Sequence, residues 1–195
     1  MYKFTLDNTT TFSLESLEAD DADEALSLCD RCVGENLYRR LEIESTIDSL
    51  DRFFYLLRDD KNNIAGYIYY YITTEEEVRK FSNLEEIVFS KIETDHTKKV
   101  GKIQSIGVDD KYRGMGLSSK MMGFALSELK KLDIDIAYIV CWKPKGKVPL
   151  GKTISLFDFT FLSIAKKVWY YDTRLICPYC KGRCLCDGEV YYKLL

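Results

Sequence analysis

Long hydrophobic runs are missing. The longest, Tyr67 to Ile72, falls far short of the ~20 apolar residues that a bilayer span needs, so no membrane contact is expected. The opening Met1-Tyr2-Lys3-Phe4-Thr5-Leu6-Asp7 has no apolar core of a leader peptide, which leaves a cytoplasmic protein as the expectation. Proline and glycine are scarce, at 3 and 11 of 195 residues, and this excludes collagen-like and linker-dominated chains. No internal repeat or low-complexity stretch is present. Histidine occurs once. His96 stands in a polar loop, where a lone imidazole is expected as a surface residue rather than a general base.

What remains is globular composition, with 46% hydrophobic and 30% charged residues, enough apolar mass for one domain over 1–195. The net charge of −3 is unevenly spread. Residues 1–60 hold 15 Asp/Glu against 6 Lys/Arg, and residues 143–195 hold 10 Lys/Arg against 4 Asp/Glu. With a pI near 5.4 there is no concentrated basic face, so nucleic acid is not an expected partner. The basic last third suits an anion such as a phosphorylated cofactor, and the acidic first third suits a cationic substrate.

Along the chain, Thr11 to Leu17 predicts a strand. Ala22, Ala25, Leu26, Cys29 and Val33 then keep helical spacing, with Gly34 as a stop. A second amphipathic stretch covers Leu41 to Leu50. Phe53–Leu57 and Ile64–Thr73 predict a hairpin around the polar turn 59–63, and Glu75 to Lys91 a polar, partly helical segment. Gly101–Val108 predicts a strand, Asp109–Gly116 a loop, Leu117–Leu132 an amphipathic helix, and Ile134–Trp142 a strand apolar on both faces. This order is the grammar of a parallel βαβ pair. A helix is expected near Leu150 to Phe159. Val168–Arg174 and Glu189–Leu195 are expected as the arms of a terminal hairpin.

The loop carries the most specific chemistry. In Arg113-Gly114-Met115-Gly116-Leu117-Ser118, two glycines stand where strand turns into helix. Successive amides can therefore face one concavity at the positive end of the helix dipole, an arrangement suited to a pyrophosphate. The GK[ST] of a P-loop and the dinucleotide G-x-G-x-x-G are both absent.

This stretch resembles the acyl-CoA-binding motif R/Q-x-x-G-x-G/A of the GNAT N-acetyltransferase family, with Arg113, Gly116 and Ser118 on the defining positions and Ser118 in place of Gly or Ala. The resemblance runs from the early hairpin to the last strand. It implies an α/β fold with a mixed, splayed central sheet flanked by helices. Acetyl-CoA would be the co-substrate, held by backbone at Arg113, Gly114, Met115, Gly116, Leu117 and Ser118, with pantetheine in a gap between the strands 103–108 and 136–141. Pantetheine would pair there with backbone at Ile106, Gly107 and Val108, and an N–H near Val108 would stabilise the developing oxyanion. It further implies direct attack of an amine, either a small molecule or a peptide or protein amine, on the thioester, in a monomer or homodimer.

The chain departs from that family at the catalytic groups. Lys102, Gln104 and Ser105 occupy the strand where many relatives carry a Glu, and no Tyr falls in 153–159. Gln104 can position a water, and Tyr138, Cys141 and Tyr170 are the candidate acids. A catalytically inactive interaction module on the same scaffold is the alternative reading.

Seven cysteines complete the sequence. Cys177, Cys180, Cys184 and Cys186 combine C-x2-C with C-x3-C-x-C, which can place four thiolates around one ion. In a reducing compartment this predicts a structural four-cysteine zinc knuckle at 175–188, inserted in the terminal hairpin, with an iron–sulfur cluster as the other occupant of such ligands. Cys29 and Cys32 lie within a helical pattern and are expected as core residues.

Overall fold

A computed structural model describes residues 2–6 and 10–195. Among these, eight strands form one sheet: β1 (Tyr2–Leu6), β2 (Thr10–Ser16), β3 (Arg52–Arg58), β4 (Ile64–Thr74), β5 (Lys99–Val108), β6 (Ile136–Lys143), β7 (Thr160–Ala165) and β8 (Asp187–Leu194). Their order is β1-β2-β3-β4-β5-β6-β8-β7. Only β5 and β6 pair in parallel, and the other neighbours are antiparallel. Helices α1 (Ala22–Val33), α2 (Arg40–Glu44), α3 (Glu75–Ser82), α4 (Glu86–Phe89), α5 (Leu117–Lys131) and α6 (Gly151–Leu156) complete the molecule.

The aromatic and β-branched content of Phe53–Leu57 and Ile64–Thr74 makes the central hairpin. Asp59 closes its turn by accepting from the amides of Lys61 and Asn63, while Asn62 adopts φ 67°. On one face of the sheet, α5 buries Leu117, Met121, Met122, Ala125, Leu126 and Leu129. That helix lies close: a Cβ on Gly101 would stand 2.5 Å from Leu129 Cδ1. On the other face, α1 buries Ala22, Ala25, Leu28 and Cys29 against the Phe54, Tyr67 and Tyr69 side of the hairpin. Gly34 ends α1 at φ 113°, where a side chain would also collide with Leu175 and the Ile176 carbonyl.

The structure departs from the sequence expectations at four elements. The first arm of the terminal hairpin is Thr160–Ala165, and Val168–Arg174 forms turns instead. Lys167 at φ 47° and the bonds from Tyr170 N to Lys167 O and from Asp172 N to Trp169 O curl that apolar stretch back on itself. The second amphipathic stretch is helical only over Arg40–Glu44, and the helix near 150 stops at Leu156. Left-handed Asp48 and Asp158 mark the turns that follow these two helices. Finally, β1 was not expected. Its Tyr2 and Phe4 rings pack against Phe124 and Phe12, contacts that a five-residue pattern does not announce.

Candidate active site

The loop from β5 to α5 bonds its first amides, from Asp109, Lys111, Tyr112 and Arg113, within the protein and leaves the later ones free. Gly114 and Gly116 adopt φ 84° and 74°, a conformation costing most other residues about 1–2 kcal/mol. A Cβ on either would meet nothing within 4 Å, so strain rather than space selects glycine here. Gly116 is the N-cap of α5, and its carbonyl receives Ser119 N and Lys120 N. The amides of Gly114 to Ser118 have no hydrogen-bond partner among the described residues. Arg113 through Gly116 are exposed, whereas Leu117 is buried and anchors the helix start. Ser118 Oγ lies 2.9 Å from Thr153 Oγ1 and ties the loop to α6. Tyr112 Oη donates to Asp59 at 2.7 Å and ties it to the central hairpin. The result is a set of amides open to solvent at a helix mouth, the chemistry that binds a diphosphate.

Next to this loop the sheet opens. Parallel pairing of β5 with β6 covers only Gly101↔Ala137, Lys102↔Tyr138 and Ile103↔Ile139, so β5 from Gln104 onward has no strand on that side. A bulge in the β4–β5 ladder falls at Gln104, between Tyr69↔Ser105 and Tyr70↔Ile103. The predicted Ile106, Gly107 and Val108 thus lie on the free stretch of β5. The Val108 carbonyl accepts from Cys32 Sγ at 3.6 Å and Arg113 Nε at 3.4 Å. Burial holds the Cys32 thiol up at about 11, only partly offset by Arg113.

A cavity fills the opening, its lining running from Cys32 and Ile106 past Ile139 and Cys141 to Lys102 and Gln104. A second cavity is lined by Tyr38, Glu42, Arg52, Tyr69, Tyr71 and Glu77, among others. The two share Leu37, Phe81, Lys102, Gln104 and Trp169. A ligand in the sheet opening and a ligand in the tyrosine-lined cavity therefore approach one another at Lys102 and Gln104.

Lys102 is the residue that sequence reasoning passed over. It is 2% exposed, and its Nζ donates to Gln104 Oε1 at 2.6 Å and to Tyr71 Oη at 2.9 Å. The Phe81 ring lies 3.6 Å from Nζ. Burial alone lowers the amine to about 7. The available signal was a lysine between Gly101 and Ile103 on the strand that leads into the glycine loop, a position where an ammonium is costly to bury.

The remaining candidates separate. Gln104 stands at the meeting point. Cys141 lines the sheet opening, its thiol pushed far up by burial and held protonated. Tyr138 lies outside both cavities, donating to Glu75 Oε2 at 2.6 Å, with its hydroxyl pushed up by burial and that carboxylate. Tyr170 also lies outside them, with Arg183 stacked on its ring at 4.1 Å. His96 binds Glu75 at the surface. Of the two cysteines of α1, Cys29 is buried as expected, whereas Cys32 is half-buried and lines the sheet opening instead of lying within the core.

The four C-terminal cysteines converge between β7 and β8. All four sulfurs lie within 4.8 Å of one another, with Cys180–Cys186 at 3.6 Å and Cys177–Cys186 at 4.0 Å. A tetrahedron of ~2.3 Å zinc–sulfur bonds has edges of ~3.8 Å, so the donor set fits that ion. Two knuckle features support it: Lys181 N bonds to Cys177 O with Lys181 at φ 58°, and Leu185 N donates to Cys180 Sγ at 3.4 Å. That last bond holds the Cys180 thiol below its ordinary range. The knuckle touches the cavity through Tyr179, whose ring meets Trp142 edge-on at 5.9 Å.

A mixed sheet split between its two parallel strands, with free amides at the adjoining helix mouth, defines an acetyltransferase-type α/β fold. Residues 19–145 match the model of the Acetyltransferase (GNAT) family, and the chain belongs to that family. Solved structures share the fold. Arabidopsis thaliana NAA60 in complex with acetyl-CoA aligns at TM-score 0.69 and 11% identity over 94% of this chain and 98% of that one. The ribosomal-protein-S5-alanine acetyltransferase of Vibrio fischeri aligns at 0.65 and 14% over 100% and 97%. The polyamine N-acetyltransferase of Drosophila melanogaster aligns at 0.60 and 9% over 94% and 100%. No curated protein matches the chain by sequence.

Proposed function

We propose that this protein is an acetyl-CoA-dependent N-acetyltransferase that delivers the acetyl group to a primary amine by direct attack on the thioester. The observation that carries this reading is the wall that the two cavities share at Lys102 and Gln104, where the opened sheet edge adjoins the tyrosine-lined cavity. The diphosphate would lie against the amides of Gly114 to Ser118, and pantetheine along Ile106 to Val108. The acceptor amine would enter past Tyr38, Tyr69 and Tyr71. When bound, acetyl-CoA supplies an activated acyl carbon with a thiolate leaving group, and the protein's part is to align it and exclude water.

The acceptor is a small amine or a peptide N-terminus. The similar folds named above include enzymes for both, an alanine of a ribosomal protein in one case and a polyamine in another. The tyrosine-lined cavity carries both signs of charge, with Glu42, Asp51, Glu77 and Asp172 beside Arg52, Lys99 and Arg174. Zinc in the Cys177–Cys186 knuckle would be structural, because four thiolates leave no open position for water. Such reduced thiols fit a cytoplasmic setting.

The test is thiol release from acetyl-CoA with agmatine, spermidine and an alanine-starting peptide as acceptors. Turnover with at least one amine is expected. Binding of acetyl-CoA without turnover would favour the alternative, an inactive scaffold carrying zinc, a reading supported by the lack of any carboxylate among the residues the cavities share.

A further inference from the structure

Lysine is rarely buried without an acid to pair with. Lys102 has none. No ion pair reaches its Nζ, although charged groups surround its cavity on several elements: Glu77 on α3, Glu42 on α2, Arg52 on β3 with Asp51 before it, Lys99 on β5, and Asp172 and Arg174 after β7. The phenol that it touches is not an anion either, since burial raises Tyr71 on β4, and burial with Glu75 likewise raises Tyr138, the register partner of Lys102 on β6. Its polar contacts are two neutral oxygens, Tyr71 Oη and Gln104 Oε1.

This surrounding accommodates both protonation states. As a neutral amine, Lys102 spends its two N–H bonds on those oxygens and keeps a lone pair. As an ammonium, it gains the faces of Phe81 at 3.6 Å and Tyr71 at 5.2 Å. A purely structural lysine has no need of such a balance, and a purely structural position in a β-strand is better filled by an apolar residue.

From its place on the wall shared by both cavities, we infer that Lys102 is the proton acceptor for the incoming amine, with Tyr71 and Gln104 as its positioning residues. The inference rests on the amine acetylation proposed above. The acceptor nitrogen forms its bond to the acetyl carbon as the carbon–sulfur bond breaks, and its N–H proton passes to Lys102 Nζ. The Lys102 ammonium then gives that proton to the departing thiolate, which leaves as free coenzyme A, and the neutral amine is restored. No other oxidant, reductant or co-reactant enters.

The experiment compares wild type with Lys102→Met, Lys102→Arg and Glu77→Gln in the same thiol-release assay across about pH 5.5–9, alongside calorimetric binding of coenzyme A. In wild type, kcat/KM should rise with pH along a limb near the value of about 7 to which burial brings the amine. Lys102→Met should lose about 10²–10⁴-fold in kcat together with that limb, the usual contribution of a general base, while binding coenzyme A with unchanged affinity. Lys102→Arg should be equally impaired, because a guanidinium keeps the charge and cannot take a proton.

Several results would overturn the inference. Full activity in Lys102→Arg would show that only the positive charge matters. Persistence of the limb in Lys102→Met, or its loss in Glu77→Gln, would place the base elsewhere. An acetyl group found on Lys102 by mass spectrometry would make it a nucleophile instead. Wild type that binds coenzyme A and releases no thiol with any of the amines would remove the proposed function and this inference together, whereas turnover with an unaffected Lys102→Met removes this inference alone.

Discussion

A lysine in a strand of apolar neighbours has a cost that depends on pH, and that dependence can be read without any substrate. Burial holds the Lys102 amine at about 7 in the folded protein, against ~10.4 in an unfolded chain. Between those values the unfolded state binds more protons, so stability rises with pH across that window. Lys102→Met removes the titrating group. Its melting temperature should exceed that of wild type most at and below about pH 7, and the gap should narrow toward about pH 10. A gap that stays constant across this range would mean that Lys102 titrates normally. At this scale the sequence was least transparent. Gln104 was recognisable as the polar residue on the motif strand, but the value of Lys102 comes from Phe81 and Tyr71, residues 21 and 31 positions away, which only the fold brings near.

At the scale of elements, legibility followed local periodicity. The β3–β4 hairpin, the loop, α5 and β6 fall close to where their patterns place them because each buries a face that its own residues define. The terminal hairpin does not, since Val168–Arg174 has strand-like composition yet is turned by Lys167 and by bonds between neighbours. The knuckle between β7 and β8 was legible as ligand spacing, whereas its contact with the cavity wall through Tyr179 was not. The four-cysteine reading predicts one zinc per chain by elemental analysis. Cys180→Ser should lose that metal and melt at a lower temperature, with a fall in coenzyme A affinity as Tyr179 shifts. A metal-free protein with unchanged stability would contradict it, as would a coloured iron–sulfur chromophore. Removing zinc with a chelator should reproduce the mutant, because metal binding in such sites is coupled to folding.

On the scale of the whole molecule, the sheet is opened at one place and closed elsewhere. Three paired positions hold β5 to β6 near their starts, and the strands then part, so one end of the gap adjoins the α5 mouth and the other meets the tyrosine-lined cavity. Charge follows no such division. The acidic first third suggests a cationic acceptor, and five of its 15 carboxylates pair with arginines, Glu44 and Asp23 with Arg40, Asp21 and Glu15 with Arg58, and Glu42 with Arg174.

All of this depends on the free amides of Gly114 to Ser118 gripping the diphosphate of acetyl-CoA. Calorimetric titration of acetyl-CoA into wild type, Gly116→Asn and Gly116→Glu tests that grip directly. Wild type should bind one equivalent. Gly116→Asn should bind nearly as well, since asparagine tolerates the left-handed conformation and the space is open. Gly116→Glu, which sets a carboxylate in the anion site, should lose affinity by at least about tenfold, or ~1.4 kcal/mol. Equal binding by wild type and Gly116→Glu, or no binding by wild type, would contradict the account.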